Sequence, residues 1–322
     1  MDRYERTTFR KILMEKRSPL QLAMLTMKGL AMGAADVVPG VSGGTIAFIS
    51  GIYEELIDSI NNINLGALNV LRKEGVKAFW NHVNGTFFLF LFAGIIISIV
   101  SLAKVVTYFL EVHPVLIWSF FFGLIIASVV LIGKTIKKWS PGVIVTLLIG
   151  AGIAFYISSI ESVASVEAKW YILLSGALAI CAMILPGISG SFILVLLGTY
   201  HIVLDAIKSK DLMTIGLFAV GCLVGLLTFA RVLKYLFKNF KELTVALLTG
   251  FMIGSLYKVW PWKNEIGTKP LVIHSNGKED WMTTNVWPAD FNGEALLWPA
   301  IGCAVIGFAV ILILERFAPK EA

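Results

Sequence analysis

The stretch Ala34-Ala-Asp-Val-Val-Pro-Gly-Val-Ser-Gly-Gly-Thr45 interrupts a long apolar run with an acid, a proline, three glycines and two hydroxyl residues. Proline lacks a backbone N–H and glycine tolerates positive φ, so Pro39-Gly40 predicts an abrupt helix end. Ser42 is then placed to cap the helix that follows. Inside a membrane, a helix end of this kind is tolerated only where it packs against protein or lines a polar cavity.

The rest of the chain has the composition of an integral membrane protein. Of its 322 residues, 57% are hydrophobic and 15% are charged, with a mean hydropathy of +0.82. A hydrocarbon core of about 30 Å needs about 20 helical residues. Six apolar runs are predicted to span it: residues 85–110, 114–133, 141–158, 212–237, 243–260 and 296–314. Two further apolar regions, residues 20–60 and 170–207, are each broken in the middle.

The second broken region repeats the first. Without gaps, residues 29–60 and 176–207 share 11 identities in 32 positions, and the alignment pairs Pro39-Gly-Val-Ser-Gly43 with Pro186-Gly-Ile-Ser-Gly190. Because three spans separate the two regions, they approach the membrane from opposite faces. The predicted fold is an all-α polytopic membrane protein of two inverted-topology repeats, residues 20–160 and 168–315. Each repeat has a broken or re-entrant helix hairpin followed by three transmembrane helices.

The distribution of positive charge predicts the orientation. Of the 27 Lys and Arg residues, 17 lie in segments that this topology places in the cytoplasm and 7 on the other side, so both termini are predicted to be cytoplasmic. Residues 1–19 form a basic amino-terminal segment without a signal peptide, and residues 261–295 form an external loop flanked by tryptophans. The net charge of +6 sits near membrane surfaces, which fits lipid rather than nucleic acid. Cys181, Cys222 and Cys303 are expected to be buried free thiols.

The arms of the hairpins leave their geometry open. Residues 170–185 and 191–207 have 16 and 17 residues, or about 24 to 26 Å of helix, which is short for a crossing. A re-entrant hairpin is the preferred interpretation, although two tilted spans joined by the break would place every loop on the same side.

Two helix amino termini, one from each repeat, are predicted to converge on an anionic group. The candidate binding residues around the breaks are Ser42, Gly43, Gly44 and Thr45 in the first repeat and Ser189, Gly190 and Ser191 in the second. The alternative is that both breaks only form tight turns whose glycines allow close packing.

Side-chain cations are needed as well, because two helix ends supply about one positive charge and a phosphate monoester carries about 1.5 to 2 negative charges. Lys104 and Arg231 occupy equivalent positions in the two repeats, and Lys28 is a third candidate. The alternative is that all three extend to the nearer membrane surface.

Several residues near the breaks are candidates for coupling or gating. Asp36 corresponds to Met183 in the second repeat, so it is an unpaired acid that could carry a coupling proton, pair with a cation or cap a backbone N–H. Pro39, Gly40, Pro186 and Gly187, which are predicted to stop the leading helices sharply, belong to the same group of candidates. Glu54 corresponds to His201; Glu54 with Asp58, and His201 with Asp205, fit a solvated helix face better than a site.

The paired signature resembles a known bacterial family, long called domain of unknown function 368. The matching residues are Gly33-Ala-Ala-Asp36, Pro39-Gly-Val-Ser-Gly-Gly-Thr45 and Gly51-Ile-Tyr-Glu54, then Pro186-Gly-Ile-Ser-Gly190 and Gly198-Thr-Tyr200. The resemblance covers nearly the whole chain from about Leu22. It departs from symmetry at His201, which puts a symmetric role for Glu54 in doubt.

This resemblance implies a polyprenyl-phosphate translocase of the PopT type, which returns undecaprenyl phosphate from the outer to the inner leaflet of the bacterial cytoplasmic membrane for cell-wall synthesis. The predicted partners are the polyprenyl phosphate lipid and membrane lipids, with a proton or sodium ion as the candidate for coupling and no nucleic acid. No cofactor or metal is predicted, and a homo-oligomer is left open. Two alternatives are a transporter of a small soluble ion and a membrane polyprenyl-pyrophosphate phosphatase. The phosphatase would need clustered acids with a nucleophile and a metal or general base.

Overall fold

The computed structural model of the protein describes residues 17–36, 42–159, 168–266, 272–273, 279–280 and 282–317. These residues form mostly helices, as predicted, together with four short strands. The helices are α1 Pro19–Asp36, α2 Gly43–Ile49, α3 Tyr53–Asn61, α4 Leu65–His82, α5 Gly85–Val112, α6 Pro114–Thr135, α7 Pro141–Ser159, α8 Lys169–Ile184, α9 Gly190–Leu196, α10 Tyr200–Ser209, α11 Leu212–Asn239, α12 Lys241–Ser255 and α13 Leu297–Phe317. The strands are β1 Lys263–Ile266, β2 Val272–Ile273, β3 Glu279–Asp280 and β4 Met282–Asn285.

Three helices in the described part of the chain are long and apolar enough to cross a membrane, namely α6, α7 and α11. Helix α5 meets the same criterion together with α4, from which it is bent by 49°. The span expected at residues 243–260 is shorter than predicted, because α12 ends at Ser255 and a turn covers residues 256–259. Its 15 residues rise only about 23 Å.

Residues 61–84, expected to form a loop, contain a helix of 18 residues. The Asn64 side chain starts it by accepting hydrogen bonds from the N–H groups of Gly66 and Ala67 at 2.7 and 3.3 Å. Gly75, at φ +84°, kinks it in the middle. Most of its side chains are exposed, including apolar Leu65 and Val76.

Each broken region consists of one longer leading helix and two short helices. In the second, α8 stops at Ile184 and Gly187 has a φ of +87°, so the helix ends at the predicted position. The trailing arm, expected to be continuous, is broken again where Gly198 has a φ of +67°. Gly51, its partner in the alignment, breaks the first trailing arm in the same way at +74°. The corresponding first break at Pro39 and Gly40 lies outside the described residues.

The two halves repeat the same close helix contacts. In the first half, a Cβ added to Gly29 on α1 would lie 2.2 Å from the carbonyl oxygen of Leu91 on α5. In the second, a Cβ added to Gly176 on α8 would lie 2.5 Å from that of Phe218 on α11. The positions match in the alignment, so the leading helix of each broken region packs on the first long helix of its own half through the same backbone approach.

The remaining long helices pack across the halves. Helix α6 pairs with α13, and α7 pairs with α12. A Cβ on Gly307 of α13 would lie 2.0 Å from the carbonyl oxygen of Phe120, and one on Gly150 of α7 would lie 2.4 Å from that of Leu247. Each half therefore supplies two helices that complete the bundle of the other.

The segment between α12 and α13 contains the strands. Strand β1 pairs antiparallel with β4, and β2 with β3. The tryptophans predicted to flank this segment include a cluster in which the Trp260 ring lies 5.5 Å from that of Trp262 and 6.0 Å from that of Trp287. Trp262 and Trp260 also donate hydrogen bonds to backbone carbonyls at 2.8 Å, which ties the strands to the end of the bundle. Trp281 lies outside the described residues.

Candidate functional site

The two broken regions are in direct contact. The backbone N–H of Gly187 in the second break donates a hydrogen bond of 2.9 Å to the hydroxyl of Thr45 at the start of α2. The hydroxyl of Ser42 donates one of 3.1 Å to the carbonyl of Leu185. Ser42 and Thr45 are 1% and 0% exposed. The two repeated sequence signatures are thus joined by one buried and one partly buried hydrogen bond, each between residues about 140 positions apart in the chain.

In the first signature, the start of α2 is satisfied from within the protein. The carboxylate of Asp36 accepts a 2.6 Å hydrogen bond from the N–H of Gly43, and the hydroxyl of Ser42 caps the N–H of Thr45 at 3.2 Å. Three roles were left open for Asp36: carrying a coupling proton, pairing with a cation and capping a backbone N–H. The structure shows the cap. Gly44 is needed for packing, because a Cβ there would lie 2.3 Å from the carbonyl oxygen of Ile184.

The second signature is different. Ser189 occupies the N-cap position of α9, as Ser42 does for α2, but its side chain makes no capping hydrogen bond. Its hydroxyl is instead 2.8 Å from that of Ser191. Ser189 is buried and Ser191 is exposed. Gly190, like Gly44, packs against a backbone carbonyl, because a Cβ added to Gly190 would lie 2.7 Å from the carbonyl oxygen of Ala179.

The three predicted cations are placed differently from one another. The Lys28 ammonium donates a 2.7 Å hydrogen bond to the carbonyl of Ser50, at the end of α2, so it binds the carboxyl end of the first short helix. Arg231 is exposed on α11. Lys104 lies in α5, and its side chain is outside the described residues. Binding of phosphate by these cations therefore stays a prediction.

The acidic residues of the first trailing arm form ion pairs. Glu54 pairs with Lys241 at 2.8 Å on an exposed surface, and Asp58 pairs with Lys234 at 2.7 Å. This agrees with a solvated helix face. The side chain of His201, the counterpart of Glu54, lies outside the described residues.

One polar network was not predicted. Glu55 forms an ion pair with Arg17 and accepts a 2.9 Å hydrogen bond from Asn84, which also donates to Ser59. These contacts join the start of α1, the first trailing arm and the start of α5. Sequence reasoning had no signal for it, because Glu55 meets Arg17 and Asn84 only through tertiary contacts, 38 and 29 residues away in the chain.

Two partly buried lysines were also missed. Lys258 follows α12, and its ammonium lies 4.3 Å from the ring centre of Phe192, a residue of α9. Lys263 starts β1, and its ammonium lies 4.1 Å from the ring centre of Trp118 on α6. The sequence signal was Lys258 itself, a lone cation between apolar residues within the span expected at 243–260.

The cysteines and the possible metal ligands were the remaining reactive groups of interest. Cys181, Cys222 and Cys303 are free thiols, as expected, and each is partly buried. Within the residues that the structure describes, no cluster of His, Cys, Asp and Glu has the arrangement of a metal site.

A helical membrane protein with two repeated breaks joined by buried hydrogen bonds has the general form of a membrane transporter. The sequence matches the family described as undecaprenyl phosphate translocase-like over residues 32–276. The chain belongs to this family. It is 43% identical over 299 residues to the polyprenyl-phosphate transporter of Vibrio cholerae serotype O1, covering 91% of this chain and 96% of the relative.

A second relative is the polyprenyl-phosphate transporter of Staphylococcus aureus. It is 34% identical over 255 residues, which cover 73% of this chain and 85% of the relative. No solved structure matches the chain. Both relatives are named as transporters, which agrees with the prediction that the chain is a lipid transporter and not an enzyme.

Proposed function

We propose that this protein transports polyprenyl phosphate, moving undecaprenyl phosphate from the outer to the inner leaflet of the bacterial cytoplasmic membrane. The observation that carries the proposal is the direct contact of the two polar breaks within an apolar helical bundle. The names of the two relatives support the choice of lipid. The reaction changes no covalent bond, so the protein acts as a transporter and not as an enzyme.

The physical need for such a site follows from the charge of the substrate. Transfer of an isolated ionised group from water to hydrocarbon costs on the order of tens of kcal/mol by Born solvation, whereas the apolar prenyl chain is stable in hydrocarbon. A transporter must therefore shield only the phosphate while the chain remains in lipid. A buried polar contact between two broken helices is a structural solution of this kind.

Within this site, the second signature is the better candidate for contact with the phosphate. The hydroxyls of Ser189 and Ser191 hydrogen-bond to each other, and Ser191 is exposed. In the first signature, the N–H of Gly43 is already bonded to Asp36 and the hydroxyl of Ser42 to Leu185 of the second broken region. In our proposal, the first signature holds the second in position, and cations drawn from Lys28, Lys104 and Arg231 balance the charge.

The transport cycle we propose is alternating access between inverted repeats, with re-entrant hairpins and both termini in the cytoplasm. The matching contacts of Gly29 and Gly176 support a two-fold relation of the halves. The hydrogen bond between Gly187 and Thr45 would then break and re-form as the halves rock, exposing the site to one leaflet at a time. A proton or sodium gradient is the proposed driving force.

Leaflet-resolved transport tests this function. Purified protein in liposomes should move a fluorescent or chemically detectable polyprenyl phosphate between leaflets faster than protein-free liposomes do, and imposed pH or sodium gradients identify the coupling ion. Thr45→Val, which removes the acceptor for Gly187, should slow transport. Uptake of a soluble anion by vesicles without prenyl lipid, with no movement of the lipid, would contradict the proposal; release of inorganic phosphate would instead indicate the phosphatase alternative.

A further inference from the structure

Lys258 and Lys263 form a compact cationic pair at one end of the bundle. The ammonium of Lys263 donates a 2.5 Å hydrogen bond to the backbone carbonyl of Lys258, and both side chains are partly buried. Aromatic rings lie beneath both charges, Phe192 beneath Lys258 and Trp118 beneath Lys263. The pair is therefore held by contacts with three separate elements, α9, α6 and the turn after α12.

The charge of this pair is not balanced by the described part of the protein. The ion pairs among the described residues involve other lysines and arginines, and neither Lys258 nor Lys263 takes part in one. Burial lowers the pKa of Lys258, and burial together with the charge of Lys258 lowers the pKa of Lys263 to about 7. An anion beside these two side chains would supply the opposite charge that no described carboxylate supplies, and it would favour the protonated form of Lys263.

The pair adjoins the second break. Phe192, which carries the Lys258 ammonium on its ring, comes directly after Ser191 in α9. Gly187 of the same break faces the end of α12, where a Cβ would lie 2.9 Å from the hydroxyl oxygen of Ser255. An anion held by Lys258 would thus be next to the polar residues proposed above for transport.

An apolar cavity is lined by Tyr257 and Trp260, which flank Lys258 in the sequence, although neither lysine lines it. It has a volume of about 700 Å³, and its lining includes Phe122, Phe155, Tyr257, Trp260 and Trp287. Phe122 is one helical turn from Trp118, the residue beneath Lys263, and its ring lies 5.5 Å from that of Trp260. A cationic pair beside an apolar cavity is complementary to a molecule with an anionic head and a hydrocarbon chain.

We propose that Lys258 and Lys263 form a docking site for the phosphate monoester headgroup of a lipid, with the first part of its hydrocarbon chain in the aromatic cavity. The inference rests on the proposed function, since it assigns the site where the lipid is received before its phosphate reaches the second break. The same chemistry would bind free phosphate, and the cavity is the reason for choosing the lipid.

Binding to purified protein in detergent or nanodiscs tests the site with three probes: farnesyl phosphate, farnesol and inorganic phosphate. Farnesyl phosphate should bind more tightly than either of the other two by at least about tenfold, since the lysines favour it over farnesol and the cavity favours it over inorganic phosphate. The double variant Lys258→Gln, Lys263→Gln should lose most of this preference and leave farnesol unchanged. Lys137→Gln, Lys138→Gln removes the same charge from an exposed loop and serves as the control.

A second variant tests the cavity. Gly152 lines it, and a Cβ there would meet no atom within 4 Å, so Gly152→Phe should fill the cavity without strain. Gly216→Phe, at another open position on α11, is the matched control. Gly152→Phe should weaken the binding of farnesyl phosphate and leave the binding of inorganic phosphate unchanged. Equal effects of the two phenylalanines would overturn the assignment of the chain to this cavity.

Footprinting of the unaltered protein keeps the test valid if a lysine variant does not fold. Acetylation of Lys258 and Lys263, read by mass spectrometry, should be slowed by farnesyl phosphate and not by farnesol. Equal acetylation with and without farnesyl phosphate, or equal protection by inorganic phosphate, would overturn the lipid site. Transport in liposomes separates the two proposals. If the double lysine variant transports lipid at the wild-type rate, this site is refuted and the proposed function is not. If the wild-type protein binds farnesyl phosphate through the lysines but moves no lipid, the proposed function is refuted and this site is not.

Discussion

Asp36 is the one charged residue in the stretch from Ala34 to Thr45, and the second half has Met183 in its place. The sequence therefore singles it out but leaves its role open between a coupling proton and a structural bond. In the structure, its carboxylate accepts the N–H of Gly43, and a Cβ at Gly43 would lie only 2.6 Å from it. The short helix α2 thus begins against an internal carboxylate, whereas α9 begins without one.

Replacement of Asp36 separates the structural role from proton coupling. Asp36→Asn keeps an oxygen that can accept from Gly43 but cannot titrate, so we expect it to retain the stability and most of the transport of the wild type. Asp36→Ala leaves the N–H unpaired and should lower the free energy of unfolding by about 1 to 3 kcal/mol. Thermal unfolding and liposome transport measure both effects. A stable Asn variant that no longer transports would instead assign the coupling role to this carboxylate.

The shifted pKa of Lys263, in the segment outside the spanning helices, predicts a pH-dependent stability. Its folded pKa of about 7 lies below its ordinary value of 10.5, and the neighbouring charge in the described structure is Lys258. Between these two values, the unfolded chain binds a proton at this position that the folded protein does not bind. The stability of the wild type relative to Lys263→Met should therefore rise as pH increases from 7 to 10. Unfolding temperatures of both proteins across this range give the difference, and a flat difference would contradict the lowered pKa.

Residue identity alone revealed the candidates around the breaks, because proline, glycine and serine have strong local preferences. It could not reveal the site of Lys258 and Lys263, since nothing in the apolar run of residues 243–260 predicted that α12 ends at Ser255. The expected span to residue 260 placed Lys258 inside a membrane helix, where it attracted no separate interpretation. The partner of each charge depends on tertiary contacts, which a single sequence does not contain.

At the level of elements, the trailing arms show the same limit. The identity of Gly51 and Gly198 in the alignment was visible in the sequence, but a glycine in an apolar run also fits close helix packing. Their positive φ values show that both positions are breaks instead. Helix α4 was missed for a different reason: its residues are polar enough to resemble a loop, and its start depends on the side chain of Asn64.

Close approach of α8 and α11 predicts a strong effect of one methyl group. A Cβ at Gly221 on α11 would lie 2.0 Å from the carbonyl oxygen of Leu173 on α8, so Gly221→Ala must push the helices apart. We expect a loss of about 1 to 3 kcal/mol in the free energy of unfolding. Gly216→Ala, on the same helix with open space around it, should be neutral or slightly stabilising. Chemical unfolding in detergent measures both, and similar losses for the two variants would refute the contact.

For the whole molecule, the duplicated sequence predicted the paired hairpins and most of the long helices. It did not predict that α6 and α7 pair with α13 and α12, because apolar helices give no sequence signal for their partners. The inverted orientation of the halves remains a prediction from the number of crossings and the positive charges. Labelling can test it directly.

If the repeats are inverted as proposed, single cysteines near the two ends of the bundle will be accessible from opposite sides. With Cys181, Cys222 and Cys303 replaced by alanine, a cysteine at Lys138 should react with a membrane-impermeant thiol reagent from the cytoplasmic side only. A cysteine at Asp290, in the segment between α12 and α13, should react from the other side only. Reaction of both positions from one side would exclude the proposed topology.

The pairing of α6 with α13 also concerns how the protein is made. Helix α6 leaves the ribosome and enters the membrane well before its partner, which lies at the end of the described chain. Until α13 has been synthesised, the face of α6 that receives Gly307 is exposed to lipid or to the insertion machinery. Chains that stop before α13 would keep that face uncovered, so membrane quality-control proteases should recognise them even though every residue of both breaks is present.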